Sequence, residues 1–144
     1  MTKEEAKDLG LNNWKIICGD SEEENLDYFI GCLEDQTGSA MKRIIDKRRT
    51  NERQYYTAKD CFEYADTFVE DAKVLLDIVF KQSIREQKYN RYELKSRLES
   101  AIERLGYARE LEKLLEETEA LLEEKEEIIG EMKEKYEEEY EYED

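Results

Sequence analysis

Glu123, Glu124, Glu127, Glu131, Glu134 and Glu138 recur at intervals of one, three and four residues within the segment LLEETEALLEEKEEIIGEMKEKYEEEYEYED, which runs from Leu114 to Asp144. On a helix, residues three or four apart hold their Cβ atoms about 5–6 Å from one another. Ionised carboxylates at that spacing accept hydrogen bonds from Lys and Arg side chains and attract them electrostatically. Tyr136 and Tyr140 are interleaved with them and add flat amphipathic surface of the kind common at interfaces. Closely spaced carboxylates can also do acid–base chemistry, as in glycoside hydrolysis, but that needs a concave site around one particular pair. Here acidic pairs are everywhere, so no single pair is diagnostic.

The catalytic alternatives are thin. The chain has no histidine, which removes Ser-His-Asp and Cys-His catalysis, His-ligated zinc and the commonest proton shuttle. No GxGxxG or GxxxxGK[ST] stretch supplies a phosphate cradle. DSEEEN at 20–25 lacks the glycine and the closing glutamate of a calcium loop. The expectation is a non-enzymatic protein with no cofactor and no metal.

Composition bounds the fold. The 144 residues contain no proline and six glycines, with 43% charged and 39% apolar side chains. Mean hydropathy is −0.96, polar for a globular chain, yet the apolar residues are regularly patterned and complete disorder is not expected. Abundant Glu, Lys, Leu and Arg with few breakers imply an all-α chain. No run of about eighteen apolar residues is present, so no membrane span is expected, and the first ten residues lack a signal-peptide core. The three cysteines, Cys18, Cys32 and Cys61, form no CxxC pair. Their odd number points to a reducing cytoplasm and to small buried thiols rather than a disulfide framework.

Charge is unevenly placed. Residues 110–144 hold 17 acidic and 4 basic groups, net −13 of the total −16. Residues 42–53, KRIIDKRRTNER, hold 6 basic and 2 acidic groups, and residues 81–109 hold 8 and 4. Such alternation allows neutralisation inside the molecule, which is the expected fate of these basic stretches, or complementarity to a partner.

The elements that would position these groups follow from caps and apolar periodicity. Thr2 and Glu5 start a helix over 3–9 that Gly10 ends. LNNWKIICGD at 11–20 reads as an extended loop dropping Trp14 into the core. Ser21 and Glu24 cap a helix with Leu26, Phe29, Ile30 and Leu33 on one face. Thr37-Gly38-Ser39 predicts a break, followed by a helix over 40–54 with Met41, Ile44 and Ile45 inward and the basic residues outward. Thr57 and Asp60 cap a helix over 58–88 whose stripe runs Cys61, Phe62, Ala65, Phe68, Val69, Ala72, Leu75, Leu76, Val79, Phe80 and Ile84. A turn near Lys88–Asn90 then leads into a last helix from about 91 toward 140. That helix has a stripe from Leu94 through Leu98, Ala101, Leu105, Leu111, Leu114, Leu121 and Ile128 to Met132. The expected architecture is a helical hairpin within a small bundle, residues 91–121 lying against 58–88. A domain over 1–109 precedes an acidic, heptad-patterned, coiled-coil-like C-terminal helix or tail over 110–144.

Three functions are compatible with this reading. In the first, Glu123, Glu124, Glu127, Glu131, Glu134 and Glu138, with Tyr136 and Tyr140, bind a basic surface of another protein and thereby inhibit or regulate it. That surface could be a nucleic-acid-binding channel, since 17 carboxylates over 35 residues is one per roughly 3 Å of helix axis, near the roughly 3.4 Å phosphate spacing of a DNA strand. In the second, the heptads pair two copies into a homodimer or larger assembly. In the third, Lys42, Arg43, Lys47, Arg49 and Arg53 place a basic helix on nucleic acid directly. The net −16 works against the third at long range, so a protein partner is favoured.

Overall fold

The computed structural model describes residues 1–18, 21–50, 54–82 and 89–141, the side chains of 48–50 and 139–141 excepted. Among the described residues there are four α-helices and one 3-10 turn, and no strand. The helices are α1 (Lys3–Asp8), α2 (Glu22–Thr50), α3 (Ala58–Lys81) and α4 (Arg91–Glu141), with the 3-10 turn at Trp14–Ile16. The protein is all-α, a helical bundle with a long C-terminal helix. The chain divides into two compact units, Met1–Arg109 and Glu110–Asp144.

Within the first unit the caps set the ends of the helices. The Thr2 hydroxyl accepts from the Glu5 amide at 3.1 Å. At the other end of α1 the Leu11 amide donates to Ala6 O and the Gly10 amide to Lys7 O, a pattern that needs the left-handed φ of +78° found at Gly10. Thr57 and Asp60 exchange side-chain-to-backbone bonds in a full capping box at the start of α3. The Asn90 side chain caps α4 by accepting from the Tyr92 and Glu93 amides.

Helix α2 is unbroken through Thr37-Gly38-Ser39, contrary to the break predicted there. Thr37 turns its hydroxyl back onto Leu33 O at 2.9 Å and so makes no competing turn. The apolar stripe also continues in phase from Leu33 to Ala40 and Ile44, all buried, so packing overrides the weak local propensity of the three residues. Two further expectations fail on the same stretch and the loop before it. Ile45 is exposed, because one face of α2 already presents Ile44 to the core. Trp14 is only half-buried; its ring lies under the Lys7 and Lys15 ammonium groups, 5.2 and 5.5 Å from its centroid, a cation–π stack at the surface.

The core of this unit is built from Leu26, Phe29, Ile30 and Leu33 of α2, Phe62, Phe68, Leu75 and Val79 of α3, and Leu94, Leu98, Ala101, Leu105 and Ala108 of α4. Phe29 and Phe68 meet edge to face, centroids 5.5 Å apart. Side-chain contacts fix the helix directions. Cys61 lies beside Ser39 and Gln82 beside Glu22, so α2 and α3 are antiparallel. Arg91 donates to Phe80 O and Arg109 to Phe62 O, so α4 returns along α3. Residues 83–88, and with them Ile84 and the end of the helix expected over 58–88, lie outside the described residues. The buried positions of α4 end at Ala108, rather than continuing to residue 121 as a hairpin of matched lengths would require.

The thiols also differ from expectation. Cys61 is buried, Cys32 is half-buried and Cys18 is exposed. Burial is the largest influence on Cys32 and pushes its pKa up, leaving it mostly protonated at neutral pH.

Candidate binding surface

Within the first unit Lys81, Arg97 and Arg109 are paired with carboxylates. Arg97 of α4 reaches back to α2, bonding Asp27 through Nη1 and Glu34 through Nε at 3.0 Å and through Nη2. Burial works to lower the Arg97 pKa, but the Glu34 and Asp27 carboxylates outweigh it and leave the pKa raised. Arg109 is held by Asp66 of α3 and Lys81 by Asp77 at 2.9 Å. Arg91 lies against the Phe80 and Tyr92 rings. Part of the basic character of 81–109 is thus met by carboxylates of α2 and α3.

The alternative basic site is only partly assembled. Lys42 and Lys47 are exposed. Arg43 is half-buried, its guanidinium 5.0 Å from the Tyr56 ring centroid, while Gln54 donates to the Arg43 carbonyl. The Arg49 side chain and Arg53 lie outside the described residues. Tyr55, fully exposed, is the aromatic residue nearest in sequence to that stretch. Arg43 is thus a packing residue of the α2–α3 turn rather than a member of an open cationic face.

A buried carboxylate went unnoticed in the sequence. Asp71 of α3 is 1% exposed. Its Oδ1 accepts from the Asn12 amide at 2.7 Å and Oδ2 from the Asn13 amide at 2.8 Å. The two asparagine side chains add bonds at 3.2 and 2.9 Å. Four donors compensate the loss of water, as a buried charge requires. The signal was an acid lying inside the apolar register of α3, between Phe68 and Leu75, together with an Asn-Asn turn. Its role is to clamp the chain before α2 onto α3. Asn25, also fully buried, ties the same segment down by accepting from the Cys18 amide and donating to Ser21 O.

Shallow clefts among the described residues of the first unit include the following two. One of about 300 Å³ is lined by Lys73, Leu76, Asp77, Phe80 and Lys95. The other, of about 210 Å³, is lined by Asp27, Tyr89, Asn90, Glu93, Leu94 and Arg97. Among the described residues no group of three or more Cys, Asp and Glu is arranged to hold a metal ion. No helix among them is long and apolar enough to cross a membrane.

The second unit is helical to Glu141. Glu123, Glu124, Glu127, Glu131, Glu134 and Glu138 are all exposed, and Tyr136 is 60% exposed. Of the candidate residues in this unit, the Tyr140 side chain alone lies outside the described residues. The apolar heptad residues are exposed too: Leu114, Leu121, Leu122, Ile128, Ile129 and Met132. With 3.6 residues per turn, positions seven apart nearly coincide around the axis. Leu114, Leu121 and Ile128 therefore form one column, and Leu115, Leu122, Ile129 and Tyr136 form another. Leu111, Thr118, Lys125 and Met132 stand between them. One edge of this stripe is the column Glu117, Glu124, Glu131 and Glu138. The other is Glu112, Glu119, Glu126 and Lys133. Of the glutamates singled out from spacing, Glu124, Glu131 and Glu138 share an edge of the stripe. Glu127 and Glu134 stand one column further round, and Glu123 faces away from the stripe. Glu117, which completes the edge, was missed because attention to total charge ignores which column a carboxylate occupies.

No protein-family model, curated protein or solved structure matches the chain.

Proposed function

We propose that the protein is a non-enzymatic binding protein whose C-terminal helical unit engages a cationic surface of a partner protein and thereby regulates or inhibits it. One observation carries this reading: residues 110–141 carry 15 acidic and 4 basic groups, net −11, on a helix whose glutamates at 123, 124, 127, 131, 134 and 138 are exposed to solvent. Those charges raise the encounter rate with a positive surface and disfavour negative ones. A nucleic-acid-binding channel is one surface of this kind, through the similarity of carboxylate and phosphate spacing. The internal pairing of Arg97, Arg109 and Lys81 supports treating the first unit as the scaffold.

The test is capture of a partner from cells of the source organism by the full chain and by a variant with these six glutamates changed to glutamine. Retention by the wild type, steep release as salt rises from about 0.05 to 0.3 M, and loss in the variant are expected, because a Debye length near 8 Å at physiological salt screens such contacts. A partner held equally by the glutamine variant would exclude the reading. The exposed Leu and Ile columns favour a second reading, pairing of two copies through the heptads, which light scattering at low and moderate salt distinguishes.

A further inference from the structure

A purely electrostatic surface has no use for exposed Leu and Ile in phase. Single exposed apolar side chains are ordinary, but contiguous ones mark a contact. From Leu114 to Tyr136 the stripe spans about 33 Å and just over three heptads, the minimum a stable coiled-coil seam requires. What covers it is decided by its edges.

A second copy is electrostatically wrong in both directions. In a parallel pair, the edge of Glu117, Glu124 and Glu131 would face the opposite edge of the other helix, Glu112, Glu119 and Glu126. In an antiparallel pair each edge would face its own kind. Lys133 apart, glutamate meets glutamate either way, within the roughly 8 Å over which charges act at physiological salt, and like charges in register are destabilising. A groove that reads only phosphate-like charge leaves the apolar columns in water.

Resting on the reading above that this unit binds a cationic partner, we infer that the occupant is an amphipathic basic helix of another protein. Its apolar face covers Leu121, Leu122, Ile128 and Ile129, and Lys or Arg columns lie against Glu117, Glu124 and Glu131 on one side and Glu119 and Glu126 on the other. Burying the stripe supplies affinity, while the glutamate edges set partner choice and reject a second acidic helix. Lys125, inside the stripe, lowers stability but fixes register, as a polar residue in a seam does.

Three synthetic four-heptad peptides test this against the full chain. One has Leu and Ile in phase with Lys on both edges, one has the same composition scrambled to erase the stripe, and one has Leu and Ile in phase with Glu edges. The in-phase Lys peptide should bind at least about tenfold more tightly than the scrambled one and gain helicity, since burying even one Leu contributes more than that factor. L121S/I128S should lose that advantage and leave the weak binding of the scrambled peptide unchanged. E124Q/E131Q, which keeps good helix formers, should weaken the in-phase Lys peptide and flatten its salt dependence. Equal affinity for the scrambled peptide would overturn the helix proposal and leave the wider electrostatic reading standing. Failure of both Lys peptides to bind at low salt would overturn both. Equal binding of the Glu-edged peptide, or a dimer of the chain that the Lys peptide cannot dissociate, would also overturn the proposal.

Discussion

Leu98 and Leu121 belong to the same helix, α4, and to the same kind of apolar periodicity, yet Leu98 is 2% exposed and Leu121 57%. The first lies in a unit several of whose carboxylates are engaged at home: Asp71 by the Asn12–Asn13 turn, Asp27 and Glu34 by Arg97, Asp66 by Arg109. The second lies in a unit with 17 acidic and 4 basic groups and a stripe open to water. One pattern thus does two jobs. Where basic and acidic side chains of neighbouring helices match, it makes a core. Where its edges carry one sign of charge, it is left as a face.

The sharpest way to break this contrast is to make the same change in both places. Leu98→Ala should cost about 3 kcal/mol of stability by removing buried methylenes and leaving a cavity. Leu121→Ala should change the stability of the isolated chain by less than about 0.5 kcal/mol. Urea denaturation followed by circular dichroism measures both, and a large loss for Leu121→Ala would mean that its stripe is already covered. Next in size is Asp71→Ala, expected to destabilise the first unit by about 2 kcal/mol because the Asn12 and Asn13 donors lose a charged acceptor. Faster amide exchange at Asn12 and Asn13 would accompany it. Thr57→Ala removes the cap of α3 and should cost about 1 kcal/mol.

The smallest effect is acid dependence at the same cap. The Asp60 pKa is lowered, first by the bond from the Thr57 amide and then by that from its hydroxyl. A carboxylate with a depressed folded pKa contributes stability above the ordinary aspartate value of about 3.9 and loses it as pH falls through the lower folded value. Denaturation midpoints between about pH 5 and 2.5 should therefore decline less steeply in Asp60→Asn than in the wild type. Equal slopes would show that the capping box is not formed in solution.

How much of this could be read beforehand differs by level. The caps at Thr2, Ser21, Thr57 and Asn90 were legible because each is a local bond between residues two or three apart. So were the α3 stripe from Cys61 to Val79 and the concentration of charge after Glu110. The continuity of α2 across Gly38 was not, since it depends on Ala40 and Ile44 finding a core. Trp14 was misjudged for a different reason: Lys7 and Lys15 stack on its ring at the surface, a contact that apolar patterning does not reveal. Among the candidate glutamates, exposure could be anticipated from composition, but membership of a stripe edge needed the columns to be drawn and the stripe to be open.

Sequence alone determined that the chain is helical and that its negative charge collects at one end, because propensity, capping and net charge are local or additive quantities. Tertiary structure alone decided which heptads are core and which are face, that Asp71 is a buried clamp, and that Arg43, Arg97 and Arg109 are already engaged. Burial and pairing depend on which surfaces meet across distant parts of the chain, and no count along the sequence contains that.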